Sequence, residues 1–319
     1  MGNFQSIEQQ RFPLRIRKIK RYGAIPDLPD QRDIWTTFPK IVEYYQTADL
    51  RKTNFLPEIS DQGELGSSVA HALLAAYIFS LKKRGIYNET KFSPQFIYFN
   101  QRLIAGTVEC DSGSSIRDGL KVLERLGVCS EELYPYNLDF FKEKPTNEAY
   151  EFAYKNKYPT QYRRVRPLLE DIMKSISIKI PVLMGFTVYD SFQHQDVART
   201  GIMPMPKMGE KIIGHHCVLI VGYDIPKKYI LCRNSWGSSY GQSGYFWIPF
   251  QFIDSRNCSD FWIISAELGT KSVAKLSKDK PVVEKSVDKP IEKSIQKIPD
   301  FKNDDPSDDE KLEEDDTIV

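Results

Sequence analysis

Three separated segments bring together side chains that can donate, accept or transfer protons. The first, DQGELGSSVAHA at 61–72, places Gln62 and a glycine-rich turn just before Ser68 and an apolar stretch. A helix starting there presents unpaired backbone N–H groups and the positive end of its dipole to whatever precedes it. The second, GHHCVLIVGYD at 214–224, is a histidine pair entering an apolar run. The third, NSWGSSYGQSGYFWI at 234–248, opens on Asn234. Taken singly each has an ordinary use: Ser68 as a helix cap, His216 as a packed histidine and Asn234 as a turn residue.

The elements that must position these residues can be read from periodicity. Residues 68–83 are dense in Ala and Leu, with Lys82, Lys83 and then Gly85 as a stop, which predicts a mostly buried helix. Helices are also predicted over 94–102 and over 115–126, where Gly127 is the stop. Later segments change character, and strands are predicted at 180–188, 216–223, 228–232 and 244–248. Helices first and strands second suggest an α+β architecture of two packed subdomains with a site in the cleft between them. In an extended strand His215 points away from His216. His71 is expected to be packed on its helix, and His194 sits in a polar loop where a place at a substrate rim is open.

Length and composition bound the alternatives. A chain of 319 residues holds one or two globular units at about 150 residues each. It is 41% hydrophobic, enough for a sizeable core, and it has no run near the roughly 20 apolar residues that span a bilayer. With 44 basic and 43 acidic residues it shows no signature of a nucleic-acid binder. The five cysteines are widely spaced, without a CxxC or Cys/His cluster, so a structural zinc is not expected and the thiols read as mostly reduced and buried.

The ends differ from the middle. Gly2 and Ser6 fit the N-myristoylation pattern, and six Arg or Lys follow between Arg11 and Arg21. One acyl chain binds a membrane marginally, and a polybasic patch supplies the second signal. Residues 1–22 therefore read as a basic arm that acylation at Gly2 would hold on an anionic membrane, which requires a eukaryotic cell or a virus growing in one. The start lacks the apolar core of a signal peptide, which points to a reducing compartment and away from secretion. Residues 269–319 read as a disordered acidic tail, with ten lysines against 14 acids over 271–319.

The three motifs, in this order, resemble the papain family of cysteine peptidases. The run from Gln62 to Ala70 matches the family's nucleophile segment. His216, Val218, Val221, Gly222 and Tyr223 match its histidine strand, and Asn234, Ser235, Trp236 and Gly237 match Asn-Ser-Trp-Gly. The resemblance spans about residues 24–265 and implies a two-subdomain papain-like fold over 23–268, helical on one side and β-rich on the other. PDLPDQRD at 26–33, FSPQFIYFNQR at 92–102 and the 111–136 segment resemble the bacterial, archaeal and viral branch, in which Leu often replaces a disulfide cysteine, as Leu65 does. The mature-like sequence begins near Tyr22, leaving no room for the long inhibitory propeptide of the secreted relatives.

By that resemblance Ser68 stands at the nucleophile position, His216 is the general base, Asn234 orients its imidazole and Gln62 belongs to the oxyanion hole, with no metal or cofactor. The family's nucleophile is a cysteine. A thiol near pKa 8.5 ionises beside an imidazolium, whereas a hydroxyl there stays protonated. A serine triad leans on an acidic partner, and Asn234 is neutral, so a loss of at least ~10³-fold is expected. Val69 and Tyr240 also depart from the family and bear on packing; Cys217 and Cys232 are core candidates and not substitute nucleophiles. Three readings follow: a peptidase homologue with little or no turnover, an active cysteine endopeptidase in which serine has replaced the cysteine at 68, and a peptide-binding or structural pseudopeptidase at a membrane or virion. All take an extended peptide or protein as ligand.

Overall fold

The computed structural model describes residues 22–38, 44–255 and 257–266, apart from the side chains of residues 254 and 266. Gly2, the rest of the predicted basic arm up to residue 21, and the predicted acidic tail lie outside the described residues.

The first lobe is built on α1 (Ser68–Lys83), α2 (Pro94–Ile104) and α3 (Ile116–Arg125). Helix α1 is buried from Ser68 to Leu81, as a helix apolar on all faces must be. Side-chain caps set the other two starts: Ser93 accepts the Phe96 N–H and Ser115 accepts the Asp118 N–H. Ser67, the cap residue of α1, makes no such bond. Its hydroxyl is instead 2.6 Å from the Tyr136 hydroxyl, so the first turn of α1 keeps its N–H groups clear of a side-chain cap.

The second lobe is an antiparallel seven-stranded sheet. Its strands are β1 (Thr47–Asp49), β2 (Thr160–Arg164), β3 (Val182–Tyr189), β4 (Ile212–Asp224), β5 (Tyr229–Arg233), β6 (Tyr245–Pro249) and β7 (Cys258–Ala266). Six run in the order β2-β7-β3-β4-β5-β6, and β1 pairs with β4. Short helices α4 (Asn147–Lys155), α5 (Leu169–Ser177), α6 (Gln195–Thr200) and α7 (Phe250–Asp254) are the other α-helices among the described residues. The long strand β4 packs on α1, which sets His216 against the start of that helix.

The two-lobed α+β architecture is as the sequence leads one to expect, and α1 has the predicted bounds. Strands β1, β2 and β7 are additions. Strand β2, TQYRR, is a charged edge strand without an apolar alternation, and β7 contains Asp260 at φ 54°, which interrupts its apolar run. Among the described residues no helix is long and apolar enough to cross a membrane.

Candidate functional site

Four residues singled out by sequence, Gln62, Ser68, His216 and Asn234, meet where α1 begins and β4 passes. The His216 Nε2 atom lies 2.8 Å from Asn234 Oδ1. That amide is fixed in orientation, because Oδ1 also accepts the Ser235 N–H at 2.9 Å. His216 therefore carries its proton on Nε2 when neutral, and Nδ1 is its basic nitrogen. Ser68 is the first residue of α1, and its hydroxyl accepts the backbone N–H of Cys217, the residue after His216, at 3.3 Å.

Gln62 is tied to the same network from the other side. Its Oε1 accepts the Ser235 hydroxyl at 2.6 Å, and its Nε2 donates to the Leu65 carbonyl at 2.7 Å. An amide nitrogen has two hydrogens, so one is committed to Leu65 and the second is the one a bound oxyanion could use. Tyr136 donates to the Gln62 carbonyl at 2.7 Å while its hydroxyl also meets Ser67, pinning both ends of the 62–67 loop. Asp111 holds the middle: its carboxylate accepts the Gly66 N–H at 3.0 and 3.1 Å and the Tyr98 hydroxyl.

Aromatic rings enclose the imidazole. Trp236 lies 5.0 Å from it at 37°, Phe186 meets it edge-on at 5.8 Å, and Tyr240 packs T-shaped on Trp236 at 4.8 Å. Tyr240, a departure by sequence, thus supports the Trp236 ring that covers His216. Tyr22 is the ring that periodicity does not reveal: it stands edge-on to His216 at 5.9 Å, and its hydroxyl accepts Gln193 Nε2 at 2.7 Å. Burial pushes the Tyr22 phenol well above its ordinary value, so it is neutral here.

Tyr22 begins a strap that crosses between the lobes. The Ala24 N–H donates to the His215 carbonyl at 3.1 Å, the Ser114 N–H to the Gly23 carbonyl at 2.7 Å and the Ile25 N–H to the Ser114 carbonyl at 2.9 Å. Its fit depends on glycine, since a Cβ on Gly23 would stand 1.8 Å from the Gly66 carbonyl oxygen. Beneath the strap Ser68 and His216 are 0% exposed, and Gln62 and Asn234 are nearly so. The segment taken from sequence as the simple start of the domain thus bridges the two lobes, with the Tyr22 ring against His216.

Other sequence candidates fall elsewhere. His215 faces Thr187, with Nδ1 at 3.5 Å from its hydroxyl, and offers the site only its carbonyl. His71 is buried with Nδ1 3.0 Å from the Ser60 hydroxyl. His194 is exposed on a neighbouring cavity. Cys217 and Cys232 are core residues whose thiols burial pushes far up, which removes their nucleophilic form. All five cysteines are free thiols, and Leu65 is buried.

Proteins similar in sequence and fold identify the family. The chain is 38% identical over 272 residues to the uncharacterized peptidase C1-like protein L477 of Acanthamoeba polyphaga mimivirus, covering 77% of this chain and 86% of that one. The crystal structure of xylellain, a cysteine protease from Xylella fastidiosa, superposes with a TM-score of 0.73 at 35% identity, covering 79% of this chain and 98% of xylellain. Digestive procathepsin L 3 of Tenebrio molitor larval midgut shares the fold, with a TM-score of 0.59 at 20% identity over 78% of this chain and 77% of its own. The groove between the lobes is placed as a peptide- or protein-binding groove would be. With residues 44–260 matching the papain family cysteine protease profile, the chain belongs to that family.

Proposed function

We propose that this protein is a papain-family peptidase homologue whose cleft binds an extended peptide and whose hydrolysis is silenced, or nearly so, at one atom, the Ser68 oxygen. The observation that carries the reading is the His216–Asn234 bond of 2.8 Å held beside a hydroxyl at the start of α1. In the acyl-transfer step His216 Nδ1 would take the Ser68 proton as Oγ attacks the peptide carbonyl. Asn234 would hold the imidazolium by Nε2–H, and the free hydrogen of Gln62 Nε2 with the Ser68 N–H would meet the oxyanion. The hydroxyl keeps its proton until attack, and a neutral amide supports the imidazolium less than a carboxylate does, so this step is slow. The alternative, an active cysteine endopeptidase, requires only that cysteine belong at position 68.

A peptide reaches Ser68 only after Tyr22–Ile25 leave the cleft, so the test removes both obstacles. Peptide hydrolysis and labelling by a cysteine-directed covalent probe are measured for the protein as it stands and for Ser68→Cys, each with and without Gly23→Val. Ser68→Cys/Gly23→Val/His216→Ala is the control. A gain of ~10³-fold or more in His216-dependent turnover for Ser68→Cys is the expected result. Labelling should be faster when Gly23→Val prevents the strap from seating. Folded Ser68→Cys/Gly23→Val protein that neither labels nor turns over a broad peptide panel would sink the reading.

The location proposed is a host-cell cytoplasm or a virion, supported by likeness to a mimivirus protein. The membrane part rests on sequence alone: Gly2 as an acylation site followed by a polybasic arm. Flotation of the myristoylated chain with vesicles containing phosphatidylserine, and not with neutral vesicles, is the expected outcome.

A further inference from the structure

Next to the aromatic enclosure of His216, a second cavity of about 590 Å³ opens between the 3-10 turn at Asp190–Gln193, helix α6 and the 202–210 loop. That volume is in the range of ligand pockets. Its apolar surface comes from Ile202, Pro204 and Met208, of which Met208 is fully exposed and Ile202 is 39% exposed. Its charged surface holds three carboxylates, Asp190, Asp196 and Glu210, against one ammonium, Lys207.

The carboxylates are not equivalent. Glu210 accepts the Ser191 N–H at 2.6 Å and the Lys207 N–H at 2.8 Å, so it fixes the two loops that form the walls. Asp196 meets Arg199 at 3.1 Å, but that pair is 80% and 65% exposed and therefore weak. Asp190 is exposed and opens the 3-10 turn whose last residue, Gln193, bonds the Tyr22 hydroxyl. The cavity is joined to the cleft through Gln193, which lies between the cavity residues Ser191 and His194 and donates to the Tyr22 hydroxyl. A peptide following the path of the strap across His216 would therefore run on toward Asp190.

We infer that this cavity selects for a lysine or arginine in a peptide bound in the cleft. The methylene stem would lie on Ile202, Pro204 and Met208, and the charged head would reach Asp190 and Asp196. Apolar lining with acidic groups beside it suits an amphipathic cation, since a short acid would be repelled and a purely apolar side chain would leave the acids unused. This inference rests on the reading of the groove as a peptide cleft, but not on turnover.

The experiment measures binding, by fluorescence anisotropy, of fluorescein-labelled ten-residue Ala/Ser peptides in which one Lys is moved along the sequence, with Glu and norleucine counterparts. The proteins are the full chain as it stands, Gly23→Val, and each with Asp190→Asn/Asp196→Asn. At one peptide position Lys should bind ~10-fold tighter than Glu, with a preference that shrinks as salt rises from 20 to 200 mM (both about these values). The double Asn variant should reduce it to within about 2-fold. If peptides bind but Lys and Glu are equivalent at every position, or the preference survives in the double variant, the cavity assignment falls and the cleft reading stands. If no peptide binds even to Gly23→Val, both fall. If reversing the arm with Arg17→Glu/Lys18→Glu/Lys20→Glu/Arg21→Glu raises affinity for the Lys peptide alone, the occupant is this chain's own arm, and the assignment to a separate peptide is overturned.

Discussion

At residue 68 one atom separates two chemistries, while at the cysteines it is environment that decides reactivity. Burial pushes Cys129 up to about 12 and Cys217 further, whereas Cys110 is exposed. Iodoacetamide at pH near 8, a value close to the free thiol pKa, should therefore alkylate Cys110 in the folded protein and spare Cys129, Cys217 and Cys232 until denaturant is added. Peptide mapping by mass spectrometry reads this directly, and early labelling at Cys217 would contradict its placement in the core. The four site candidates were legible because each sits in a compact motif, and Trp236 came with Asn234. Tyr22, Tyr136 and Asp111 were not, because each reaches the site across a long stretch of chain and no local spacing marks that approach. The clue available for Asp111 was its position just before a glycine between two serines, which is a weak signal.

Among the elements, the 62–67 loop is the part of the cleft with the least secondary structure of its own, and Asp111 substitutes for it. Replacing Asp111 by Ala removes an acceptor from Gly66 and from Tyr98 at once. A loss of about 2 kcal/mol in urea denaturation is expected, because both bonds are to a partly buried carboxylate. Gly66 amide exchange should quicken in the same variant, which a purely global loss would not single out. Helices α1 and α3 were readable since apolar residues and a stop glycine agree along each. Strand β7 was not, because Asp260 and the register shift opposite Leu183 and Gly185 break its period. The edge strand β2 hides for a different reason: its pairing is with backbone, and its side chains are those of a solvated segment.

Across the whole described body, an ionic cluster ties the chain just beyond the strap to both lobes. Asp33 accepts Arg117 of α3 at 2.7 Å and Arg164 of β2 at 2.5 Å, and Arg164 also reaches Asp260 of β7 at 3.2 Å. Burial opposes ionisation of Asp33, but the bonds from Arg117 and Arg164 outweigh it and hold its carboxyl below the ordinary value. Its contribution is therefore present above the unfolded value near 3.8 and is lost as pH falls through the lower folded one. Asp27 has the opposite sign: burial first, then Asp260, raises it, so mild acid relieves a cost there before stronger acid breaks the Asp33 pairs. Asp33→Asn should cost about 3 kcal/mol at neutral pH, with the difference from the unchanged protein closing as the pH falls below 3.8 and through the lower folded value. Denaturation curves across that range would reveal a different origin if the gap stayed constant.

Because residues 22–25 are covalently attached to the lobes they bridge, they would compete with a peptide on that path at an effective concentration fixed by the tether and independent of dilution. The apparent dissociation constant of a peptide on the intact chain is its intrinsic constant divided by the fraction of molecules with the strap out. A ligand that looks feeble on the intact chain can thus be tight for the open cleft, and the ratio of its affinities for Gly23→Val and the unchanged protein measures how firmly the molecule holds itself shut.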